Sequence, residues 1–159
     1  MNQFLRGRAL RLLARREYSR HELAAKLAAL AGSADQMESL LDQLAASGLP
    51  SDERYASARA RSRGARLGDS RIAGELRARG VDERLIEQAL TTVEDELTRA
   101  RSVWRKRYGD ALPVATGNLA ERARQYRFLV SRGFSHETIR RLIGADFEDD
   151  EACPTDRAD

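Results

Sequence analysis

The fold class this sequence predicts is all-α: three tandem three-helix repeats forming an elongated, curved array. Three observations lead there. First, one helical unit is written twice. Residues 76–90 read L-R-A-R-G-V-D-E-R-L-I-E-Q-A-L and residues 129–143 read L-V-S-R-G-F-S-H-E-T-I-R-R-L-I. A shift of 53 residues (76 to 129) lays Leu76 on Leu129, Arg79 on Arg132, Gly80 on Gly133, Val81 on Phe134, Asp82 on Ser135 and Ile86 on Ile139. Second, apolar residues recur at helical spacing between cap residues and glycines. Third, no segment alternates apolar and polar residues with β-branched enrichment, so no strand is predicted. Such repetition indicates stacked helical modules that present a long binding surface.

The first unit is expected over residues 1–50. Residues 3–16 form a basic amphipathic segment with Leu10, Leu13 and Ala14 on its stripe. Ser19 and Glu22 fit a capping box, in which the hydroxyl takes the third amide of the helix and the Glu reaches back to the cap. Leu23, Leu27 and Leu30 follow, and Gly32 stops the run. Ser33 and Gln36 make a second box ahead of Met37, Leu40, Leu41 and Leu44, which Gly48 closes.

The second unit is expected over residues 51–93. Ser51 starts a helix whose apolar face opens at Tyr55 and which ends near Gly64. A loop with Gly68 leads to a short helix with Ile72 and Leu76. Gly80 stops it, and Asp82 caps the helix of Leu85, Ile86 and Leu90. The third unit, residues 94–145, opens at Asp95 with Leu97, Val103 and Trp104 and ends its first helix at Gly109. A loop with Pro113 and a cap at Asn118 precede the stripe of Tyr126 and Leu129. Gly133, Ser135, Ile139, Leu142 and Ile143 then repeat the second unit's punctuation. Residues 146–159 form an acidic tail, poor in apolar residues and expected to be disordered.

Composition narrows the function classes. The chain has 159 residues, 42% hydrophobic and 33% charged, which suits thin interhelical cores of Leu, Ala and Ile. Of 28 cationic residues only Lys26 and Lys106 are lysines. Arginine forks suit phosphate and carboxylate partners. Seven acidic residues and one Arg give residues 146–159 a charge of −6, leaving +9 on residues 1–145. Cys153 is the only cysteine, so one chain can form neither a disulfide framework nor a cysteine zinc site. No 18-residue apolar run or secretory h-region occurs, so the expectation is a reduced, cytoplasmic monomer away from membranes.

Catalysis has little to stand on. His21 and His136 each follow a capping serine and read as surface residues. The H-E-x-x-H, G-x-S-x-G and Walker patterns are absent. No catalytic residue, cofactor site or metal site is expected. The arginines are the stronger signal. Residues 54–79 hold eight Arg against Asp69 and Glu75. Arg59, Arg63 and Arg66 fall at i, i+4 and i+7, on one face if the helix runs that far. Arg61 points elsewhere and Arg71 begins the next helix. Arg59, Arg61, Arg63, Arg66 and Arg71 are therefore the candidate contacts for an anionic partner. Arg99, Arg101, Arg105, Lys106 and Arg107 make a second basic helix. Trp104 and Tyr108, one turn apart there, read as a core stripe in preference to a base-stacking pair.

Four blocks in order resemble the RecX regulatory proteins. They are A-L-R-L-L-A-R-R-E-Y-S-R-H-E-L at residues 9–23, followed by Lys26-Leu27, and G-L-P-S-D-E-R-Y-A at 48–56. Then come Arg71-Ile72, Glu75-Leu76 and Arg79-Gly80-Val81, and R-F-L-V-S-R-G-F-S at 127–135. The resemblance covers about residues 9–143. Two stretches depart from the family pattern: residues 68–70 lack the proline common before R-I, and residues 28–36 do not follow the usual K-G linker. The resemblance implies a non-enzymatic regulator that binds the RecA filament on single-stranded DNA. It also implies inhibition of ATP hydrolysis, strand exchange and coprotease support, and three tandem three-helix repeats. On that reading the five arginines meet acidic RecA surface or DNA phosphate. The acidic tail could compete for the basic face. The runner-up is a stand-alone nucleic-acid module of helix-turn-helix type, centred on the turn at residues 79–82.

Overall fold

The computed structural model describes residues 3–109 and 119–144. Among these residues all regular structure is helical. The first unit holds α1 (Gln3–Leu13), α2 (Arg20–Leu27) with a 3-10 turn at Ala28–Leu30, and α3 (Ala34–Ala46). The second holds α4 (Asp52–Gly64), α5 (Asp69–Arg77) and α6 (Glu83–Leu90). The third holds α7 (Glu96–Tyr108), α8 (Leu119–Ser131) and α9 (His136–Ile143). The cap expected at Asn118, the loop with Pro113 and the acidic tail lie outside the described residues.

Each unit closes its own core. Leu5, Ala9, Tyr18, Leu23, Leu27, Met37, Leu40, Leu41 and Leu44 fill the first. Tyr55, Ala56, Ala60, Ile72, Leu76, Val81, Ile86 and Ala89 fill the second. Ala100, Val103, Trp104, Leu129, Phe134, Ile139 and Ile143 fill the third. Two stripes differ from the sequence reading. On α1 the buried residues are Leu5 and Ala9, with Leu13 half-buried, while Leu10 and Ala14, the latter just past the helix end, are exposed. Positions 5, 9 and 13 stack one turn apart, and Leu10 sits about 100° around the helix from Ala9. Leu30 is exposed because α2 passes into the 3-10 turn at Ala28, which takes Leu30 off the line of Leu23 and Leu27.

The capping residues behave as the sequence suggests, with one redirection. The hydroxyls of Ser19, Ser33, Ser51 and Ser135 accept from the amides of Glu22, Gln36, Arg54 and Thr138. Asp82 and Asp95 cap α6 and α7 with their carboxylates. The Glu22 carboxylate, expected to turn back to its own cap, instead meets the guanidinium groups of Arg79 and Arg16. Gln36 Oε1 accepts from the amide of Gly32, one residue before the cap, at 2.8 Å.

The twice-written segment closes in the same way both times. Gly80 and Gly133 have φ of 71° and 81°. The amides of Val81 and Phe134 reach back to the carbonyls of Leu76 and Leu129 at 3.2 and 3.3 Å. Left-handed backbone at the end of a helix suits glycine because no Cβ meets the following carbonyl.

These turns also join the units. The Arg79-Gly80 turn sits on the start of α2, and the Arg132-Gly133 turn sits on the start of α5. A Cβ on Gly80 would lie 2.7 Å from the Cβ of His21, and one on Gly133 would lie 2.4 Å from the Cβ of Arg71. A second shared contact locks each joint. The first amide of α2, on Arg20, donates to the carboxylate of Asp52, the first residue of α4, at 2.7 Å. The first amide of α5, on Asp69, donates to the carboxylate of Glu96, the first residue of α7, at 3.0 Å. The carboxylate that opens each following unit thus satisfies an orphan amide of the preceding one.

Candidate functional site

The five arginines singled out from the sequence divide into two groups. Arg59 and Arg63, one turn apart on α4, both reach Glu75 on α5. Arg63 makes a two-pronged contact, Nε at 2.8 Å and Nη2 at 2.6 Å, and Arg59 Nη2 lies at 3.2 Å. Hydrogen bonding from Arg63, reinforced by both positive charges, holds the Glu75 carboxyl below its ordinary range. The same bond raises the Arg63 guanidinium. These two arginines therefore brace α4 against α5.

Arg61, Arg66 and Arg71 are exposed and make no ion pair among the described residues. The line from Arg59 through Arg63 does not extend to Arg66, because α4 ends at Gly64. Gly64 packs against Val93 and the Arg99 side chain, and the chain then turns through Arg66 and Leu67, whose amides both donate to the Arg63 carbonyl. Arg71 lies at the second joint, with its Cβ against Gly133 and its side chain lining a groove with Gly74, Glu75, Ala78 and Val130.

The turn after α4 carries Arg66 into a cleft of about 670 Å³ between the second and third units. Ala65 and Arg66 form one wall, Val103, Lys106 and Arg107 of α7 another, and Phe128 and Arg132 the third. Among the described residues its lining holds four cations and no carboxylate, and none of the four makes an ion pair. The Arg132 guanidinium lies over the Phe128 ring, 5.2 Å from its centroid, and Tyr108 meets that ring edge-on at 5.7 Å. Clustered cations on a low-dielectric floor attract phosphate or carboxylate groups.

Sequence reasoning placed Lys106 and Arg107 on a basic helix without linking them to Arg66. It read Arg132 only as a repeat position. The signal available was the repeat itself, since the Arg132-Gly133 turn docks where Arg66 emerges. Arg99, counted with the same basic helix, has a different role. It is buried and donates to the carbonyls of Leu67 and Glu94, each at 2.7 Å, and pairs with Asp69. Burial nevertheless pushes the Asp69 carboxyl up, against the pull of Arg99. Burial also acts on Glu96 in that direction, but hydrogen bonds from Ser135, Thr138 and the Asp69 amide outweigh it and leave the carboxyl lowered.

Trp104 and Tyr108 follow the core reading: Trp104 is buried, its indole N–H donates to Gln125 at 3.2 Å, and its ring lies 5.8 Å from Tyr108. His21 and His136 are exposed, and His136 Nδ1 is hydrogen-bonded to the Tyr126 hydroxyl. Among the described residues no group of His, Cys, Asp or Glu could hold a metal ion, and no helix is long and apolar enough to cross a membrane.

Family models match the chain unit by unit. The first three-helix domain of RecX corresponds to residues 6–44, the second to 51–90 and the third to 94–143. The chain belongs to the RecX family. It is 47% identical to the regulatory protein RecX of Chromobacterium violaceum, over 92% of this chain and 93% of that one. It is 43% identical to the regulatory protein RecX of Herminiimonas arsenicoxydans, over 92% and 95%. The crystal structure of RecX from Lactobacillus salivarius shares the fold, with a TM-score of 0.75 at 21% identity over 89% of this chain and 94% of that one.

Proposed function

We propose that this RecX-family chain is a regulator of the RecA recombinase. It binds the RecA nucleoprotein filament on single-stranded DNA and mainly inhibits its ATPase, recombinase and coprotease activities. It acts as a cytoplasmic monomer without chemistry or a cofactor of its own. The observation that carries this reading is the match of all three RecX domains, in order, to relatives named as regulatory proteins. The working modules are residues 1–50, 51–93 and 94–145. Linked modules each make weak contacts with successive subunits of a filament, and their contributions combine through effective concentration. Arg61, Arg66 and Arg71 supply the exposed charge for acidic RecA surface or DNA phosphate. Arg59 and Arg63 contribute by holding α4 against α5.

The stand-alone helix-turn-helix reading is weaker. The exposed face of α6 carries Glu83 and Glu87 beside Arg84, and Arg77 is turned onto Glu83 at 2.6 Å. Such a helix offers a phosphate-lined groove no net positive charge.

The test is RecA's ATP hydrolysis on single-stranded DNA during titration with this protein, beside binding to the same DNA without RecA. Loss of hydrolysis at concentrations that barely bind naked DNA is expected. Hydrolysis that falls only as DNA is sequestered would replace this reading with the nucleic-acid module.

A further inference from the structure

The cleft of Arg66, Lys106, Arg107 and Arg132 is a concentration of positive charge that no carboxylate among the described residues neutralises. The same chain carries seven acidic residues in 146–159, four of them consecutive: Glu148, Asp149, Asp150 and Glu151. We infer that this cleft is the docking site of the chain's own acidic segment, which covers it until a competing polyanion displaces it. The inference does not depend on RecA being the partner.

Reach permits it. The described chain ends at Gly144, whose carbonyl accepts from Arg122 Nη2 at 2.6 Å. Phe128 and Arg132 lie six and ten residues further along α8 and its terminal turn, about 9 to 15 Å at 1.5 Å per residue. Residues 148–151 stand four to seven residues beyond Gly144, a span of up to about 13 to 24 Å when extended. The run of four carboxylates can therefore lie level with the four cations.

The chemistry favours carboxylates over stacked bases. Arg132 covers a face of Phe128, and Tyr108 meets the ring edge-on. The cleft thus offers guanidinium and ammonium donors in place of an open aromatic platform. Tethering adds to this, since a short linker presents the segment at an effective concentration of order millimolar.

The chain's only cysteine, Cys153, allows a direct test in the full-length protein. A nitroxide on Cys153 should broaden the amide resonances of Ala65, Arg66, Lys106, Arg107 and Arg132 at low salt. That broadening should be lost at 1 M salt, in the E148Q/D149N/D150N/E151Q variant and in the K106E/R107E variant. Broadening that is the same in all these samples, or centred on another basic surface such as α1, overturns the proposal. A single-stranded oligonucleotide supplies the second readout. Its affinity for the carboxylate-neutralised variant should exceed that for the native chain by about tenfold if the segment covers the cleft nine-tenths of the time. Equal affinity, or none for either protein, overturns the proposal.

Discussion

The hydroxyl of Ser19 donates a 2.8 Å hydrogen bond to the carbonyl of Arg79, and the same oxygen accepts from the amide of Glu22 at 3.0 Å. One buried side chain thus caps α2 and fastens the second unit to the first. At the second joint the corresponding bond is made by backbone alone. The amide of Gly68, the residue before α5, donates to the carbonyl of Arg132 at 2.9 Å. The Arg-Gly pair that recurs in the sequence is therefore both a helix stop and a connector. Unit 1 has no such pair after its second helix, which runs instead into the 3-10 turn at Ala28–Leu30. Ser19→Ala removes the cap and the connector together. It should cost about 1 to 2 kcal/mol in urea unfolding. A loss no greater than that of an exposed serine would show that the joint carries no stability.

Glycine-to-alanine changes should have opposite signs at two positions. Gly74 lies inside α5 with nothing near its missing Cβ. G74A should stabilise the protein by about 0.5 to 1 kcal/mol through helix propensity. Gly133 has φ of 81°, and a Cβ there would come within 2.6 Å of the Arg71 backbone nitrogen. G133A should cost at least about 1 kcal/mol from the backbone alone and more from displacement of α5. Paired thermal melts decide it, and equal shifts would refute the joint geometry.

Arg99→Ala should be among the most damaging single changes to an arginine. The side chain is 4% exposed, and its removal strands two carbonyls and Asp69. Because water reaches the Asp69 carboxylate left behind, the expected loss is about 1 to 3 kcal/mol, below that of a fully buried pair. Arg77→Ala, which breaks an exposed pair with Glu83, should leave the midpoint essentially unchanged. Denaturant titrations of both variants provide the comparison.

Acid should loosen the second joint through Glu96. Its folded pKa lies below its ordinary value. Its charged form therefore adds stability that is fully present above the ordinary glutamate range and is lost as pH falls through the lowered folded value. The stability gap between the native chain and Glu96→Gln should be widest at neutral pH and should close in acid. A gap that stays constant from neutral pH into acid would mean that the charge of Glu96 contributes nothing.

The exposed and engaged arginines should separate in function. R61E/R66E/R71E should weaken inhibition of RecA's ATP hydrolysis while leaving the unfolding midpoint nearly unchanged. Arg63→Ala should lower the midpoint, because Glu75 loses its two-pronged partner. Inhibition curves and melts recorded on the same preparations test this, and full inhibition by the triple variant would move the contact elsewhere.

Much of the fold was legible because it is local. Ser19, Ser33, Ser51, Asp82, Asp95 and Ser135 cap helices by bonds to residues two or three positions on. Met37, Leu40, Leu41 and Leu44 share a face by period alone. The site was legible only in outline. Arg59 and Arg61 look alike in the sequence, yet one lies against Glu75, sixteen residues away, and the other faces solvent. Arg99 and Arg107 share a helix, yet one is buried in a joint and the other lines the cleft.

By itself the sequence determined the all-α class, the triple repeat, the position of nearly every cap and the presence of excess positive charge. Periodicity and capping chemistry act within a few residues, so they can be read along the chain. Only the tertiary structure decided which arginines are engaged in holding helices and units together and which stay exposed. That choice depends on the docking of one unit's Arg-Gly turn on the preceding unit's helix start. This contact, made between Ser19 and Arg79 or Gly68 and Arg132 across about sixty residues of chain, has no local signature.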